Sequence, residues 1–186
     1  MTILIFFILG AIGWSFTEYA LHRWNGHGMK GKTRFSREHL RHHAVEGYFA
    51  PLWAKIGVAG LVGSIVGALG IGILGPEAGL AFTFGFMVSY GSYEALHSRL
   101  HSHGPSTAFG RWARKHHFAH HFNCPKLNHG VTSPIWDIVF RSRRQVTQVR
   151  VPRKKSMSWL TDNEGELLPQ YAQDYVLAGR RHGPLI

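Results

Sequence analysis

Fourteen histidines stand against ten carboxylates in this 186-residue sequence, and ten of the histidines fall into four closely spaced groups. His22 and His27 form HX4H, His39 with His42 and His43 forms HX2HH, His97 and His101 form HX3H, and His117 with His120 and His121 forms a second HX2HH. Residues three and four apart share a face of an α-helix, so each HX2HH triplet is expected to turn its imidazoles toward one point, as HX3H turns two. Residues five apart do not. His22 and His27 converge only if their helix ends or bends between them, and Asn25, Gly26 and Gly28 supply an ending. Neutral imidazole is a ligand for iron, zinc, copper and nickel, so ten of them suit two ions with four or five nitrogens each. A lone histidine is more often an ordinary polar residue, but that explanation would have to hold for four groups at once.

The remaining titratable residues are less telling. His103 and His182 read as solvated, and His116 as an interfacial neighbour of a ligand that points the other way round the helix. His129, in the turn Asn128-His129-Gly130, is open between a ligand, a hydrogen-bonding support for one, and neither. Glu18 and Glu94, four and three residues before a histidine, are read equally as orienting that histidine or as interfacial carboxylates paired with arginine. Asp137 is expected to cap or tether the segment around it. No side chain is singled out as a catalytic acid, base or nucleophile, so the chemistry is assigned to the metals. Cys124 is the only cysteine, which excludes an intrachain disulfide, a thiolate zinc site and a cysteine-held iron–sulfur cluster.

Three apolar segments must position these groups. Residues 2–21 are about long enough to cross a bilayer, and they lack the basic start and small-residue cleavage site of a signal peptide. Residues 22–48 are rich in Arg, Lys and His and must lie outside hydrocarbon. Residues 52–74 form a second span broken only by Lys55, with Gly60, Gly63, Gly67 and Gly70 as a small-residue stripe for close helix packing. After the turn Gly75-Pro76-Glu77, residues 78–96 form a third span, and all four histidine groups are then expected at one membrane face. The fold class is thus all-α: a membrane helical bundle of about three spans with a histidine-rich helical cap. Residues 1–144 make the metal domain and 145–186 a polar C-terminal tail, which the sequence leaves free to cover the metal region or rest on headgroups.

The formal charge of +11 comes without any nucleic-acid-binding signature. The short turn between the second and third spans has no Lys or Arg, whereas both histidine-bearing regions have many, which places those regions in the cytoplasm and accounts for the basic balance. A hydrolytic zinc enzyme would keep an open zinc position beside a carboxylate base, and no HEXXH-like motif occurs. A membrane metal carrier would place ionisable ligands at the centres of its spans, where this sequence has no histidine.

The ordered motifs TEYALHRWNGH, REHLRHH, LHSRLH and KHHFAHH, followed by GVTSPIWDIVF, resemble the fatty acid hydroxylase and sterol desaturase superfamily over roughly residues 14–141. The EYALHR start and VTSPIWD ending look most similar to hydroxylases of fatty acyl chains; the small carotenoid (β-ring) hydroxylases are the nearest rival, with lipid desaturation a further alternative. The resemblance implies a centre of two iron ions, for which zinc can substitute in isolated protein. It also implies C–H hydroxylation of a lipid with O2 and two electrons. His22, His27, His39, His42, His43, His97, His101, His117, His120 and His121 would be the ligands. No cytochrome b5-like domain lies within these residues, so the electrons are expected from a separate protein, a ferredoxin or cytochrome b5-like donor. The thin three-span body implies self-association into a homo-oligomer.

Overall fold

The computed structural model describes residues 1–179; His182 and the rest of residues 180–186 lie outside the described residues. Helix α1 (Thr2–Ala20) continues without a break into a π-helical segment, Leu21–His27. A turn with Lys30 and Gly31 at positive φ leads into α2 (Arg34–Ala44), whose start is fixed by Thr33: its side-chain oxygen accepts from the Ser36 N–H at 3.0 Å. Helix α3 (Leu52–Leu74) and the longer α4 (Pro76–Ser102) are joined through Gly75, whose φ of 82° a side chain would oppose. Pro76 opens α4, where its missing N–H costs nothing.

Helix α4 packs on both α1 and α3. At the α1 crossing the helices touch backbone to backbone: a Cβ on Gly10 would lie 1.9 Å from the Phe82 carbonyl oxygen, and one on Gly85 2.0 Å from that of Phe7. Small residues permit such contact between helices in lipid. Of the glycine stripe on α3, Gly63, Gly67 and Gly70 do face α4, against Met87, Thr83 and Gly79, while Gly60 faces open space. Thr2–His27 and Leu52–Leu74 are both long and apolar enough to cross a membrane. The outer face of α3 shows Leu52, Ile56, Leu61, Ile65, Leu69 and Ile73 to the surroundings, as a lipid-facing helix does.

The rest of the chain builds on one end of these helices. Helix α5 (Ala108–Phe118), capped by the Thr107 side chain, widens into a second π segment, Ala119–Asn123, and is followed by the short α6 (Ile135–Val139). The fold is mostly helical but not all-α, because strands β1 (Val149–Pro152) and β2 (Tyr175–Ala178) pair in parallel, Val149 opposite Tyr175. The segment expected as a polar tail folds back on α5. Val149, Val151, Met157, Leu160 and Tyr175 bury themselves with Phe118 and Ala119 in a small core of their own. The sequence concealed this because those apolar residues are spread singly among charges, with no period to betray strand or helix.

Candidate metal centre

All ten histidines expected as ligands come together at one end of the helices, in two groups of five. His22, His27, His39, His43 and His120 form one, and His42, His97, His101, His117 and His121 the other; within each, one ring nitrogen per residue lies within 4.8 Å of every other. Imidazole nitrogens bound at about 2.0–2.1 Å from one ion stand up to about 4.2 Å apart, so each group is close to the size of a single ion's shell. The groups adjoin, since the His43 and His121 rings stack at 3.9 Å with 9° between planes.

The HX2HH triplets do not converge on single points as the spacing suggested. His39 and His43 serve one group while His42 serves the other; His117 and His121 serve the second while His120 reaches across to the first. Adjacent residues stand about 100° apart around a helix, enough to aim His42 and His43 at different centres. The HX4H pair also meets differently from expectation. The helix does not stop between them but winds into π form, with the Gly28 N–H bonded to the Arg23 carbonyl five residues back. Five residues span about 140° beyond a whole turn of α-helix, which the wider π turn reduces, so His22 and His27 face the same way. Gly26 lies beneath His39, whose ring would be 2.8 Å from a Cβ there.

Hydrogen bonds at the far side of the rings fix which nitrogen faces inward. Nδ1 of His22 donates to the His129 carbonyl, Nδ1 of His120 to that of Leu127 at 2.7 Å, and Nδ1 of His42 to that of Tyr48 at 2.7 Å. A carbonyl oxygen only accepts, so these imidazoles keep their hydrogen outside and turn an Nε2 lone pair inward. Yet Nε2 of His22 and Nε2 of His120 stand 2.8 Å apart, two lone pairs with no hydrogen between them. Two facing lone pairs repel, and a cation between or beside them removes the repulsion. The arrangement therefore fits a metal ion. His101 completes the pattern with a carboxylate, its Nδ1 3.3 Å from Glu46 Oε1 and its Nε2 2.9 Å from that of His117.

Six of these histidines are held neutral as well as aimed. Burial first, then the charges of neighbouring imidazoles, hold His39, His117, His120 and His121 well below the usual histidine value. Burial followed by His101 lowers His42 to about 3, and burial followed by His27 lowers His43 to about 2. Metal binding requires unprotonated imidazole, so no proton must leave these side chains at neutral pH.

Around the rings lies a supporting layer, part of which the sequence did not show. Asp137 accepts from the N–H groups of His129 and Gly130 at 2.9 and 2.8 Å, from the Ser142 hydroxyl at 2.7 Å and from His116 Nε2 at 3.2 Å. Burial alone would raise its carboxyl, but these bonds outweigh it and hold the group well below its ordinary value. The tethering expected of Asp137 is thus present, and His116 is buried on it rather than at an interface. His129 stays outside both groups of five but supplies the carbonyl that orients His22. Among the described residues Glu18 orients no histidine and meets no arginine: it accepts from the Val131 and Thr132 N–H groups at 2.6 and 3.1 Å, pinning the turn after His129. Glu94 pairs with Lys55 at 2.5 Å across α3 and α4. His103 is exposed, as expected. Backbone carbonyls such as those of Leu127 and Tyr48 carry no sequence signal, which is why this layer was only partly legible.

A cavity of about 750 Å³ leads from the histidines between α1, α3 and α4. His22, His39, His42 and His97 line one end, so both groups reach it; Trp14, Val58, Val62, Phe86 and Met87 line the other.

Comparison with known proteins places the arrangement. The chain is similar to a dihydroceramide fatty acyl 2-hydroxylase of Arabidopsis thaliana, 28% identical over 152 residues that make up 80% of this chain and 63% of the relative. It is similar to a fatty acid 2-hydroxylase of Mus musculus, 28% identical over 151 residues, 73% of this chain and 38% of the relative. The chain thus spans less than two thirds of the length of these relatives. Among solved structures, full-length scs7p, with only its hydroxylase domain visible, superposes with a TM-score of 0.63 at 26% identity, covering 77% of this chain and 56% of the other. The sequence pattern of the fatty acid hydroxylase family matches residues 7–142, from the first apolar helix to the Asp137 tether. With that match spanning most of its length, the chain belongs to the fatty acid hydroxylase family.

Proposed function

We propose that this protein is a membrane oxygenase that hydroxylates a C–H bond of a fatty acyl chain at a pair of iron ions held by the ten histidines. The observation that carries the proposal is the pair of five-nitrogen groups, the first with two lone pairs facing one another, beside a lipid-sized apolar cavity. Five nitrogens exceed the four-coordination usual for zinc, and neither group includes a carboxylate, which supports iron and redox chemistry. Bound iron supplies the activation of oxygen; one oxygen atom enters the C–H bond and the other leaves as water, which consumes two electrons and two protons. The chain's own residues do the rest. The histidines hold the metals by neutral nitrogens, the carbonyls of His129, Leu127 and Tyr48 keep those rings aimed, and the cavity keeps water from the reacting carbon.

In this reading α4 is the third span. The basic residues on the histidine side put the site at the cytoplasmic face, residues 1–144 form the hydroxylase domain, and residues 145–186 form a cytoplasmic segment covering it. The electrons come from a separate ferredoxin or cytochrome b5-like protein, and the protomers self-associate in the membrane. The names of the relatives, fatty acyl and fatty acid 2-hydroxylases, support an acyl substrate.

The test is metal content together with oxygen-dependent lipid products, by mass spectrometry, in cells expressing the wild type or His120→Ala. The wild type is expected to carry two irons and yield a hydroxylated lipid, and the variant to lose both while still inserting in membranes. Two metals bound with no oxidised lipid would turn the assignment toward a metal carrier or a zinc hydrolase.

A further inference from the structure

The cavity beside the histidines is graded in polarity and has a definite floor. Asn25, Arg34, Glu38, Lys55 and Glu94 line it near the metal end, and from there to the level of Trp14 and Val62 the walls are apolar or aromatic. No lining residue lies deeper than Trp14 on α1, Val62 on α3 or Phe86 on α4. Phe86 and Met87 are consecutive, about 100° apart around α4, and they reach in different directions. Phe86 meets Trp14 of α1 edge-on, with ring centroids 5.4 Å apart at 88°. Met87 lies over α3, where its sulfur would be 3.2 Å from a Cβ on Gly63. Together the two side chains bridge α4 to both neighbours at the level where the cavity lining ends.

That level sets a length. Met87 precedes His97 by ten residues of continuous helix, about 15 Å. This is about half the hydrocarbon thickness of a bilayer, so the floor lies near the membrane centre when the histidines lie at its face. With C–C bonds of about 1.5 Å in zigzag, the distance accommodates on the order of a dozen carbons.

We propose, building on the acyl-chain reading above, that this floor is a chain-length ruler: the lipid enters with its methyl end toward the bilayer centre, and Met87 limits how many carbons fit beyond the oxidised one. The polar end of the lipid stays with Arg34, Lys55 and the other polar groups at the metal end, where their hydrogen-bonding capacity is met. The apolar chain fills the apolar part. Met87 is the adjustable element, because Gly63 opposite it has no side chain and truncation at position 87 opens space toward α3. Phe86, buried against Trp14, is fixed by its neighbour.

The test is the chain-length distribution of oxidised lipid, by mass spectrometry, in membranes of cells fed saturated fatty acids of graded length, with three variants beside the wild type. Met87→Ala is expected to shift the distribution to longer chains by about two carbons or more, since it deletes three heavy atoms from the floor. Gly57→Leu is expected to shift it to shorter chains: Gly57 lines the cavity about halfway down and a Cβ there would meet no other atom within 4 Å. Leucine is also the better helix former, so this variant keeps the fold. Gly60→Leu, equally free of neighbours but outside the cavity lining, is expected to leave the distribution as in the wild type. Oxidised lipid with the same distribution in all four proteins overturns the ruler alone, as does a shift to shorter chains in Gly60→Leu equal to that in Gly57→Leu. No oxidised lipid from the wild type overturns the acyl-chain reading and the ruler with it.

Discussion

Asp137 holds the backbone N–H of His129 at 2.9 Å, and the carbonyl of that same residue receives the Nδ1 hydrogen of His22. A carboxylate that touches none of the ten inward-facing nitrogens thereby sets the direction of one of them. In Asp137→Asn, one acceptor oxygen becomes an NH2 donor facing N–H groups, and the turn loses its anchor. The variant is expected to bind metal about 10- to 100-fold more weakly, as disruption of such outer supports generally does. Metal titration of the detergent-solubilised protein measures this, and unchanged affinity would refute the coupling.

Gly26→Ala is expected to damage the first group of histidines before the second. The added methyl group would stand 2.8 Å from the His39 ring, and His39 must move to admit it. The second group takes no residue from this contact. The expected outcome is a protein with about one metal per chain, read by elemental analysis; full occupancy would show that His39 is free to yield.

Acid is expected to destabilise the metal-free protein well above the range in which carboxylates titrate. His42 and His43 take up protons at about 3 and about 2 in the fold, against 6.5 for unperturbed histidine. Between those values the unfolded chain binds more protons than the folded one, so stability rises with pH. The contribution is fully present above about 6.5 and is lost as pH falls toward 3. Metal occupancy follows the same direction, because protons compete for the same nitrogens. Melting temperatures of metal-free protein between about pH 7 and about pH 5 test this, and a flat profile would contradict it.

Trp159→Ala is expected to release the C-terminal segment. The indole N–H donates to the His101 carbonyl at 3.0 Å, and the ring meets Tyr171 and Tyr175 edge-on at 5.2 and 5.8 Å. Truncating a packed tryptophan costs about 3–5 kcal/mol, toward the low end here because the residue is only half-buried. Limited proteolysis should cut first between residues 145 and 179 in the variant. Equal resistance in both proteins would mean that the segment is held elsewhere.

Two helices long and apolar enough to span, the turn at Gly75 and the identity of the gathered histidines were legible because each has a local signature: length and apolarity, a glycine–proline pair, a short spacing. The division of the histidines between two groups was not, since it depends on where two helices stand relative to one another. The π segments were also hidden, because nothing in LHRWNGH distinguishes a wide turn from a helix end. The β1–β2 pairing joins residues 26 apart in sequence, Val149 and Tyr175, through a ladder of backbone bonds that no side-chain pattern announces. Glu18 illustrates the same limit: its partners lie 113 and 114 residues away.

Because α2 gives two histidines to one group and one to the other, and α5 with its π extension does the reverse, neither helix belongs to a single centre. An ion entering either group fixes both helices and so presets most of the other group's rings. Occupation of the first centre lowers the ordering cost of the second, which makes loading cooperative and the singly loaded wild-type protein a scarce species.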